Sequence, residues 1–224
     1  MQREIFTTRD GSHSISIPEM NVMYHSIHGA LQESMHVFIN TGLHYARKVF
    51  AEGPLEVLEV GFGTGLNALL TVRESLTSHI PVVYTTLEQF PLEVEKAKAL
   101  NYPSLMESSP SFENYFDRLH TGEWEKEVEI CRRFVIHKKK TNLLEFSSPS
   151  KFHLIYFDAF APTAQPELWT AEVFTRLYES LLPSGILVTY CSKSVVRRAM
   201  EAAGFKVTKP VGPWGKREMI RAVK

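Results

Sequence analysis

The chain lacks the features that mark secreted, membrane-spanning and disulfide-stabilised proteins. Only two of its 224 residues are cysteines, and both Cys131 and Cys191 fall inside predicted strands, so we expect buried thiols rather than a disulfide. No apolar run approaches the roughly 18 residues that a membrane-spanning helix needs. No signal-peptide pattern opens the chain either. The sequence therefore predicts a soluble protein of the cytoplasm.

A charge imbalance is also missing. Lysine plus arginine and aspartate plus glutamate each number 25, so the formal net charge is zero and no global basic field indicates a nucleic-acid partner. Basic residues do cluster locally, in the middle of the chain and near its end: Arg132, Arg133, Lys138, Lys139, Lys140, Arg197, Arg198, Lys216, Arg217 and Arg221. Such clusters occur on solvated faces as well as in binding patches, so charge alone leaves a nucleic-acid role open.

Two kinds of catalytic centre have no counterpart in the pattern. The nine histidines form no zinc-like set, and His25, His28 and His36, which share one segment, lack the spacing of metal ligands. The glycine-rich stretch Gly61–Gly65 contains no serine, so it is not the nucleophile elbow of a hydrolase. We expect neither a metal site nor a serine nucleophile.

That glycine-rich stretch is nevertheless the most informative feature present. An apolar strand ends at Glu59, glycines follow at every second position, Gly61, Gly63 and Gly65, and a helical run then extends from Leu66 to Leu76. Dinucleotide sites need Gly-x-Gly-x-x-Gly, in which the third glycine comes one residue later. The shorter spacing, preceded by an acidic residue, suits a ligand with an amino-acid end and a sugar but no phosphate. S-adenosylmethionine is the obvious candidate, although ordinary tight turns show similar glycines.

Strand and helix patterns alternate from residue 53 onward. Near-continuous apolar runs, typical of a parallel sheet buried on both faces, predict strands at Leu55–Val60, Val82–Glu88, Ile130–Ile136, His153–Asp158 and Ile186–Cys191. Amphipathic patterns predict the intervening helices Leu92–Leu100, Leu168–Leu182 and Ser194–Ala203. Two closing strands, Phe205–Lys209 and Glu218–Val223, have no helix between them, so the last strand is expected to be antiparallel. This pattern predicts an α/β fold of the Rossmann-like methyltransferase class, with a seven-stranded, mostly parallel sheet.

The segment before residue 53 is predicted to be an extension. Ile5–Thr8 and Ser14–Ile17 alternate around Asp10-Gly11, which is a hairpin signal, and residues 22–51 are mostly helical in pattern. We expect residues 1–52 to pack on a catalytic domain formed by residues 53–224. Residues 103–128, rich in serine, proline and aromatics, suggest an inserted segment or lid.

Three carboxylates fall at the carboxyl ends of predicted strands, where doubly wound sheets bind their ligands. Glu88 is placed to accept hydrogen bonds from a ribose diol. Glu59 would either contact the ligand's ammonium, directly or through water, or fix the glycine turn. Asp158 leaves a buried strand and enters a proline-stiffened loop, where it would either cap that loop or orient an acceptor amine. Geometry supplies most of the catalysis of methyl transfer from a sulfonium, so orientation is the expected role.

Several motifs together resemble the methyltransferase domain of the MnmC type. They are residues 59–67 (Glu-Val-Gly-Phe-Gly-Thr-Gly-Leu-Asn), residues 157–169 (Phe-Asp-Ala-Phe-Ala-Pro-Thr-Ala-Gln-Pro-Glu-Leu-Trp), Thr189–Ser192, Val196–Arg198, Ala203–Phe205 and Gly215–Met219. The N-terminal Tyr24-His25-Ser26, Gly29-Ala30, Glu33-Ser34 and Val37-Phe38 match a family segment as well. The resemblance runs from about residue 20 to the end of the chain.

The resemblance implies an S-adenosylmethionine-dependent enzyme that methylates the 5-aminomethyl group of (2-thio)uridine at the tRNA wobble position. The implied cofactor-binding residues are Glu33, Phe38, Glu59, Gly61, Phe62, Gly63, Gly65, Asn67, Glu88, Asn142 and Asp158. Of these, Asp158 is also the implied catalytic residue, because it would lie between methyl donor and acceptor amine. Contacts with the anticodon loop are expected from Arg197, Arg198, Trp214, Lys216 and Arg217, since unpaired bases stack on aromatic side chains and basic residues meet phosphates.

Two departures from the family pattern change what is expected. Larger members carry an FAD-dependent oxidase domain after the methyltransferase, whereas this sequence ends at Lys224, so it resembles the stand-alone form and a separate enzyme would supply the aminomethyl group. Many relatives have an acidic residue after the third strand, where this chain has Thr141-Asn142. Asn142 would then contact the adenine edge in its place.

Two other functions stay open at the level of sequence. The first keeps the S-adenosylmethionine site but uses a small-molecule amine as acceptor, as in spermidine-synthase-like proteins, which share the fold. The second is a degenerate fold that serves as an RNA-binding or scaffold module. The intact glycine turn, Glu88 and Asp158 argue against the second function.

Overall fold

A small antiparallel sheet begins the chain. The computed structural model describes residues 2–78, 80–106 and 110–224. Strands β1 (Glu4–Thr7), β2 (His13–Ile17) and β3 (Val22–Met23) pair in that order. The predicted hairpin is therefore present, and Gly11 takes a φ of +84° in its turn, which suits glycine.

The helical part of the N-terminal segment starts later than predicted, at Ala30. Helices α1 (Ala30–Ser34) and α2 (His44–Val49) flank a wider π-helical segment, Met35–Leu43. Gly42 in that segment lies so close to the sheet that an added Cβ would meet Val188 Cγ2 at 2.9 Å. Since residues 30–49 share a hydrophobic core with the sheet, the division at residue 52 stays a prediction.

The central sheet contains eight strands within the described residues. They are β4 (Leu55–Val60), β5 (Val82–Leu87), β6 (Glu127–Cys131), β7 (Phe134–Lys139), β8 (Phe152–Phe157), β9 (Leu181–Thr189), β10 (Lys206–Thr208) and β11 (Ile220–Val223). Their order is β10-β11-β9-β8-β4-β5-β7-β6, with parallel pairing from β9 to β7. The last strand, β11, is antiparallel to both its neighbours, as the sequence predicts.

The strand count is eight rather than the predicted seven. The apolar run Ile130–Ile136 predicts one strand, but β6 and β7 pair antiparallel on either side of a tight turn at Arg132-Arg133. Two adjacent arginines interrupt the apolar pattern, and β6 exposes Glu127 and Glu129 at the edge of the sheet. Charged residues are common on edge strands, because they discourage pairing with another chain.

Helices cover both faces of the sheet. They are α3 (Leu66–Ser78), α4 (Val94–Lys98), α5 (Tyr102–Leu105), α6 (Pro110–Thr121), α7 (Ala171–Ser180) and α8 (Ser194–Ala202). The N-terminal helices, α3 and α6 share one hydrophobic core, and α7 and α8 share the other. Thr170 starts α7 by accepting the Val173 N–H at 3.3 Å, so this helix begins after the predicted Leu168.

The described parts of the predicted insertion, residues 103–106 and 110–128, pack on the fold rather than over the cleft. Phe112, Phe116 and Leu119 of α6 are buried in the core beside α3. Residues 107–109 of the predicted segment lie outside the described residues. The helix therefore supports the layer behind the glycine turn and does not cover the mouth of a cleft.

Candidate active site

A cleft of about 900 Å³ opens at the carboxyl ends of β4, β5 and β8. This is the point where the order of the parallel strands reverses around β4, and such switch points hold ligands in open α/β sheets. Of the predicted cofactor residues, those that line the cleft are Glu33, Gly61, Phe62, Gly63, Asn67, Glu88, Asn142 and Asp158. Glu59, Gly65 and Phe38 lie behind its wall.

The glycine turn between β4 and α3 needs glycine for two reasons. Gly61 and Gly65 adopt φ angles of +91° and +73°, which side chains of L-residues rarely tolerate. An added Cβ at Gly61 would also lie 2.8 Å from the carbonyl oxygen of Asp158, and one at Gly65 would lie 2.8 Å from His120 Nε2. The turn is therefore held against the loop after β8 on one side and against α6 on the other.

Glu88 links the end of β5 to the glycine turn. Its Oε2 accepts the Gly63 N–H at 3.0 Å, and its Oε1 accepts the Phe90 N–H at 2.8 Å. A carboxylate has about four acceptor positions, so two of them remain after these bonds. Glu88 can accept hydroxyl groups from a ligand while its position is fixed by the backbone.

Asp158, directly after β8, is held by Asn67 at the start of α3. The Asn67 amide nitrogen donates to Asp158 Oδ2 at 2.9 Å. Burial raises the pKa of Asp158 to about 7, the Asn67 bond acts in the opposite direction, and the nearby charges of Glu33 and Lys216 raise and lower it respectively. The carboxyl group thus changes its charge close to neutral pH.

Glu59 lies beneath the cleft and is fully buried. Its Oε2 accepts a hydrogen bond from the Thr86 hydroxyl at 2.8 Å, whereas Oε1 has no partner among the described residues. Burial raises the pKa of Glu59 to about 8, so the side chain is mostly a neutral acid at pH 7. Of the two roles considered from sequence, its place behind the wall favours fixing the turn.

An ion pair forms another part of the cleft wall. Lys216 donates to Glu33 Oε1 at 2.5 Å, and Glu33 Oε2 accepts the Ser26 N–H at 3.0 Å. The Lys216 ammonium also lies 4.2 Å from the centre of the Tyr190 ring. Tyr190 in turn donates its hydroxyl hydrogen to the carbonyl oxygen of Ala159 at 2.9 Å, next to Asp158.

Two residues of the cleft wall, Tyr24 and His25, were given no role from sequence. The Tyr24 ring lies against Gly63 and packs edge to face on Phe160, with ring centres 5.2 Å apart. His25 Nδ1 hydrogen-bonds the Ser14 hydroxyl at 3.0 Å, and burial lowers the pKa of His25 to about 4, so it is neutral. The match of Tyr24-His25-Ser26 to the family segment was the available signal.

The rings of Phe38 and Phe62, the two aromatic side chains predicted to contact the cofactor, pack against other parts of the protein. Phe38 is buried and packs on Tyr156 with ring centres 5.2 Å apart, so it belongs to the core rather than the cleft wall. Its position in the π-helical segment facing the sheet explains this placement. Phe62 belongs to the cleft lining, but its ring packs against His120 and Trp124 behind the turn.

Asn142 lies on the cleft wall after β7. Its side-chain oxygen accepts the Leu144 N–H at 3.0 Å and so caps a short 3₁₀ turn, Leu143–Glu145. The amide NH₂ group has no partner among the residues that the structure describes. A donor group at this position is compatible with the predicted contact to an adenine edge.

Of the five predicted tRNA contacts, only Lys216 lies in the cleft wall. Arg197 pairs with Glu201 one turn along α8 at 2.7 Å, and Arg198 beside it is exposed. Trp214 is 67% exposed, and Arg217 is exposed in the same loop. This loop is tied to the N-terminal segment by His36 Nε2, which lies 2.8 Å from the Val211 carbonyl oxygen.

Other kinds of site leave no trace in the described part of the chain. No three His, Cys, Asp or Glu side chains there converge as metal ligands would. None of the helices within residues 2–78, 80–106 and 110–224 is long and apolar enough to cross a bilayer. Cys131 and Cys191 are buried free thiols, as expected.

Residues 111–224 match the model of a family described as S-adenosyl-L-methionine-dependent methyltransferase. The chain belongs to this family. The match covers half of the methyltransferase and includes the loop after β8 with Asp158, as well as the final strands.

Two curated relatives of this methyltransferase share the name tRNA 5-methylaminomethyl-2-thiouridine biosynthesis bifunctional protein MnmC. The protein from Ectopseudomonas mendocina is 31% identical over 209 residues, which cover 88% of this chain and 31% of that protein. The one from Methylobacillus flagellatus is 28% identical over 207 residues, covering 88% and 32%. The methyltransferase is thus homologous to a region of MnmC, and it spans about a third of the length of these relatives.

Solved structures confirm the predicted fold. MnmC2 from Aquifex aeolicus superposes with a TM-score of 0.80 at 24% identity, covering 99% of this chain and 70% of that one. Spermidine synthase from Thermotoga maritima gives a TM-score of 0.57 at 15% identity, covering 99% and 68%. At these identities the likeness concerns the fold alone.

The cleft of this methyltransferase fits its family's cofactor. Gly61 and Gly63 line the cleft with backbone atoms, and Glu88 retains acceptor capacity for hydroxyl groups. Asn67 lines the cleft, and its buried side-chain oxygen has no partner among the described residues. An unsatisfied acceptor of this kind costs free energy unless a donor, such as the ammonium of a bound ligand, reaches it.

Proposed function

We propose that the chain methylates the 5-aminomethyl group of (2-thio)uridine at the wobble position of tRNA. The observation that carries the proposal is the loop after β8, in which a partly buried carboxylate, Asp158, lines a cleft that fits S-adenosylmethionine. The similarity to MnmC, whose name refers to 5-methylaminomethyl-2-thiouridine biosynthesis in tRNA, supports this acceptor.

The bound cofactor supplies an activated methyl group on a sulfonium. For the chain's own residues we propose distinct tasks. The turn at Gly61, Gly63 and Gly65, with Phe62 behind it, holds the methionine end together with Asn67. Glu88 accepts the ribose hydroxyls while Gly63 and Phe90 fix its position. Asn142 donates to the adenine edge.

Asp158 would orient the acceptor amine and take up its proton. An amine attacks only through a lone pair, so a hydrogen bond from its N–H to a fixed carboxylate directs that lone pair toward the methyl group. Asn67 fixes one carboxylate oxygen and leaves the other for the amine. A pKa of about 7 lets Asp158 accept the proton released on methylation near neutral pH.

The tRNA would be held outside the cleft by the exposed basic residues and one aromatic side chain. Arg198 and Arg217 are exposed and can meet phosphates, while Arg197 shares its charge with Glu201. The exposed Trp214 offers a stacking surface for an unpaired base of the anticodon loop. A separate enzyme that supplies the aminomethyl group, and a cytoplasmic location, stay predictions.

The test compares acceptors. Purified protein is incubated with methyl-labelled S-adenosylmethionine and either tRNA from cells that lack this gene or a panel of polyamines and other small amines. We expect label in tRNA and none above background in the small amines. Label in an amine but not in tRNA would replace the proposed function with that of a small-molecule methyltransferase.

A further inference from the structure

The Glu33–Lys216 pair joins two parts of the chain that are 183 residues apart. The Glu33 side chain is only 9% exposed, whereas that of Lys216 is 30% exposed, and both line the cleft. The pair therefore places a cation, Lys216, and an anion, Glu33, next to each other in the cleft wall, where a ligand can contact both.

Anchoring of the 211–217 loop does not depend on this pair alone. The same loop is held by the contact between His36 and the Val211 carbonyl, and Gly215 packs closely against the His28 ring. A partly buried ion pair is a weak stabiliser, because the cost of desolvating two charges offsets most of their attraction. Its position in the cleft wall indicates a role in binding instead.

The position of the pair matches one end of the proposed cofactor. Lys216 lies over the Tyr190 ring, and the Tyr190 hydroxyl donates to the carbonyl oxygen of Ala159 next to Asp158, so the pair lies on the Asp158 side of the cleft. Asn67, which we assign to the methionine end, contacts Asp158 directly. The methionine end of S-adenosylmethionine carries an α-ammonium and an α-carboxylate, which are the two charges complementary to Glu33 and Lys216.

We propose that Glu33 and Lys216 are the receptor for the amino-acid end of the cofactor, with Glu33 binding the α-ammonium and Lys216 the α-carboxylate. When the cofactor binds, its zwitterionic amino-acid end replaces the Glu33–Lys216 ion pair by two ion pairs, one with each side chain. The net charge of the site does not change, and neither side chain is left unpaired. Tyr190 holds the Lys216 ammonium over its ring during this exchange, and the Ser26 N–H holds Glu33.

This inference moves Lys216 from the predicted tRNA contacts to the cofactor site. It also gives the chain a means to select its donor. A decarboxylated donor, which an aminopropyl-transferring enzyme of the same fold would use, lacks the group that Lys216 binds. The inference rests on the use of S-adenosylmethionine within the proposed function and is independent of which acceptor is methylated.

The test measures calorimetric affinities for three ligands that differ only at this end. S-adenosylhomocysteine has both charges, its decarboxylated analogue has only the ammonium, and 5′-methylthioadenosine has neither. We expect Lys216→Met to weaken S-adenosylhomocysteine about 10- to 100-fold, as the loss of a charged hydrogen bond does, and to change methylthioadenosine by less than about threefold. Its preference for S-adenosylhomocysteine over the decarboxylated analogue should disappear.

Glu33→Gln should give a different pattern. It removes the partner of the ammonium, so both ammonium-bearing ligands should weaken while methylthioadenosine does not. The double variant removes both charges and leaves no unpaired one, which keeps the test valid if a single variant folds poorly. In it, the differences in affinity among the three ligands should be much smaller than in the wild type.

Lys140→Met is the matched control, because Lys140 also lines the cleft but lies beside Asn142 after β7. It should leave the ratio between S-adenosylhomocysteine and its decarboxylated analogue unchanged. The proposal is overturned if Lys216→Met leaves that ratio as in the wild type, or if it weakens methylthioadenosine as strongly as S-adenosylhomocysteine. Failure to methylate tRNA would not affect these affinities, so it would overturn the proposed function alone.

Discussion

At the scale of single residues, Asp158 has the most demanding role, because one carboxylate is asked to orient the amine and to receive its proton. The Asn67 bond and the close approach of Gly61 to its backbone fix it at the end of β8. Binding and turnover should therefore respond differently when this side chain is removed.

Asp158→Ala should lower kcat by about 10²- to 10⁴-fold, which is the usual contribution of a general base. The affinity for S-adenosylhomocysteine should stay within a few-fold, since the other contacts remain. Steady-state kinetics and calorimetry on the same preparation provide both values. Asp117→Ala, which removes an exposed carboxylate on α6, is the control and should change neither. Equal losses of affinity and turnover would show that Asp158 mainly supports the cofactor site.

The charge of Asp158 makes a second prediction, for the pH dependence of turnover. Only the carboxylate form can take up the amine's proton, so kcat should fall as the pH drops through about 7. The Asn67 bond lowers the pKa of Asp158, so Asn67→Ala should raise it and move the acidic limb to higher pH. The acceptor amine titrates equally in both assays and cancels from the difference. Superimposable profiles would contradict this role of Asn67.

At the scale of secondary-structure elements, the glycine turn is braced from behind by α6. His120 Nε2 lies 3.1 Å from the Thr64 carbonyl oxygen, and its ring packs on Phe62. Lys138 of β7 is fully buried and donates to the carbonyl oxygens of Leu119 and His120, at 2.7 and 3.1 Å. This lysine satisfies the last carbonyls of α6 and so fixes the helix end that supports the turn.

Gly65→Ala tests this brace. The new Cβ would lie 2.8 Å from His120 Nε2, so the turn or α6 must shift. We expect the free energy of unfolding to fall by about 1–3 kcal/mol and the affinity for S-adenosylhomocysteine to fall as well. Gly53→Ala is matched in backbone strain, with a φ of +75°, but has no neighbour within 4 Å. It should destabilise without changing affinity, and similar losses of affinity in both variants would refute the brace.

The elements also show what the sequence could predict. Long apolar runs with glycine or proline at their ends, such as Leu55–Val60, correctly identify buried strands. A strand that is buried on both faces is apolar at nearly every position, so its sequence shows a continuous apolar run. The prediction of a single strand across Arg132-Arg133 was wrong, because two polar residues are too few to separate two neighbouring apolar runs in the sequence. Phe38 was misplaced because a motif match identifies a segment but not the side of a π-helical segment that faces the sheet. The Glu33–Lys216 contact, between residues far apart in sequence, left no local pattern at all.

At the scale of the whole molecule, the balanced net charge leaves tRNA affinity to local clusters. Exposed arginines release counterions when they meet phosphates, so the logarithm of the binding constant should fall linearly with the logarithm of salt concentration. Arg198→Gln should reduce that slope by about one. Arg197→Gln should reduce it less, because Glu201 already pairs with this side chain. Binding isotherms at several salt concentrations measure the slope, and a flat response would remove the basic clusters from the account.

The most direct test of the central claim is nucleoside analysis of tRNA after methyl transfer. tRNA from cells that lack this gene is incubated with labelled S-adenosylmethionine and either the wild type or Asp158→Ala, then digested to nucleosides and separated. The account predicts label in 5-methylaminomethyl-2-thiouridine with the wild type and almost none with the variant. Label only in nucleosides other than 5-methylaminomethyluridine and its 2-thio form, or none in tRNA from a protein that binds S-adenosylhomocysteine, would contradict it.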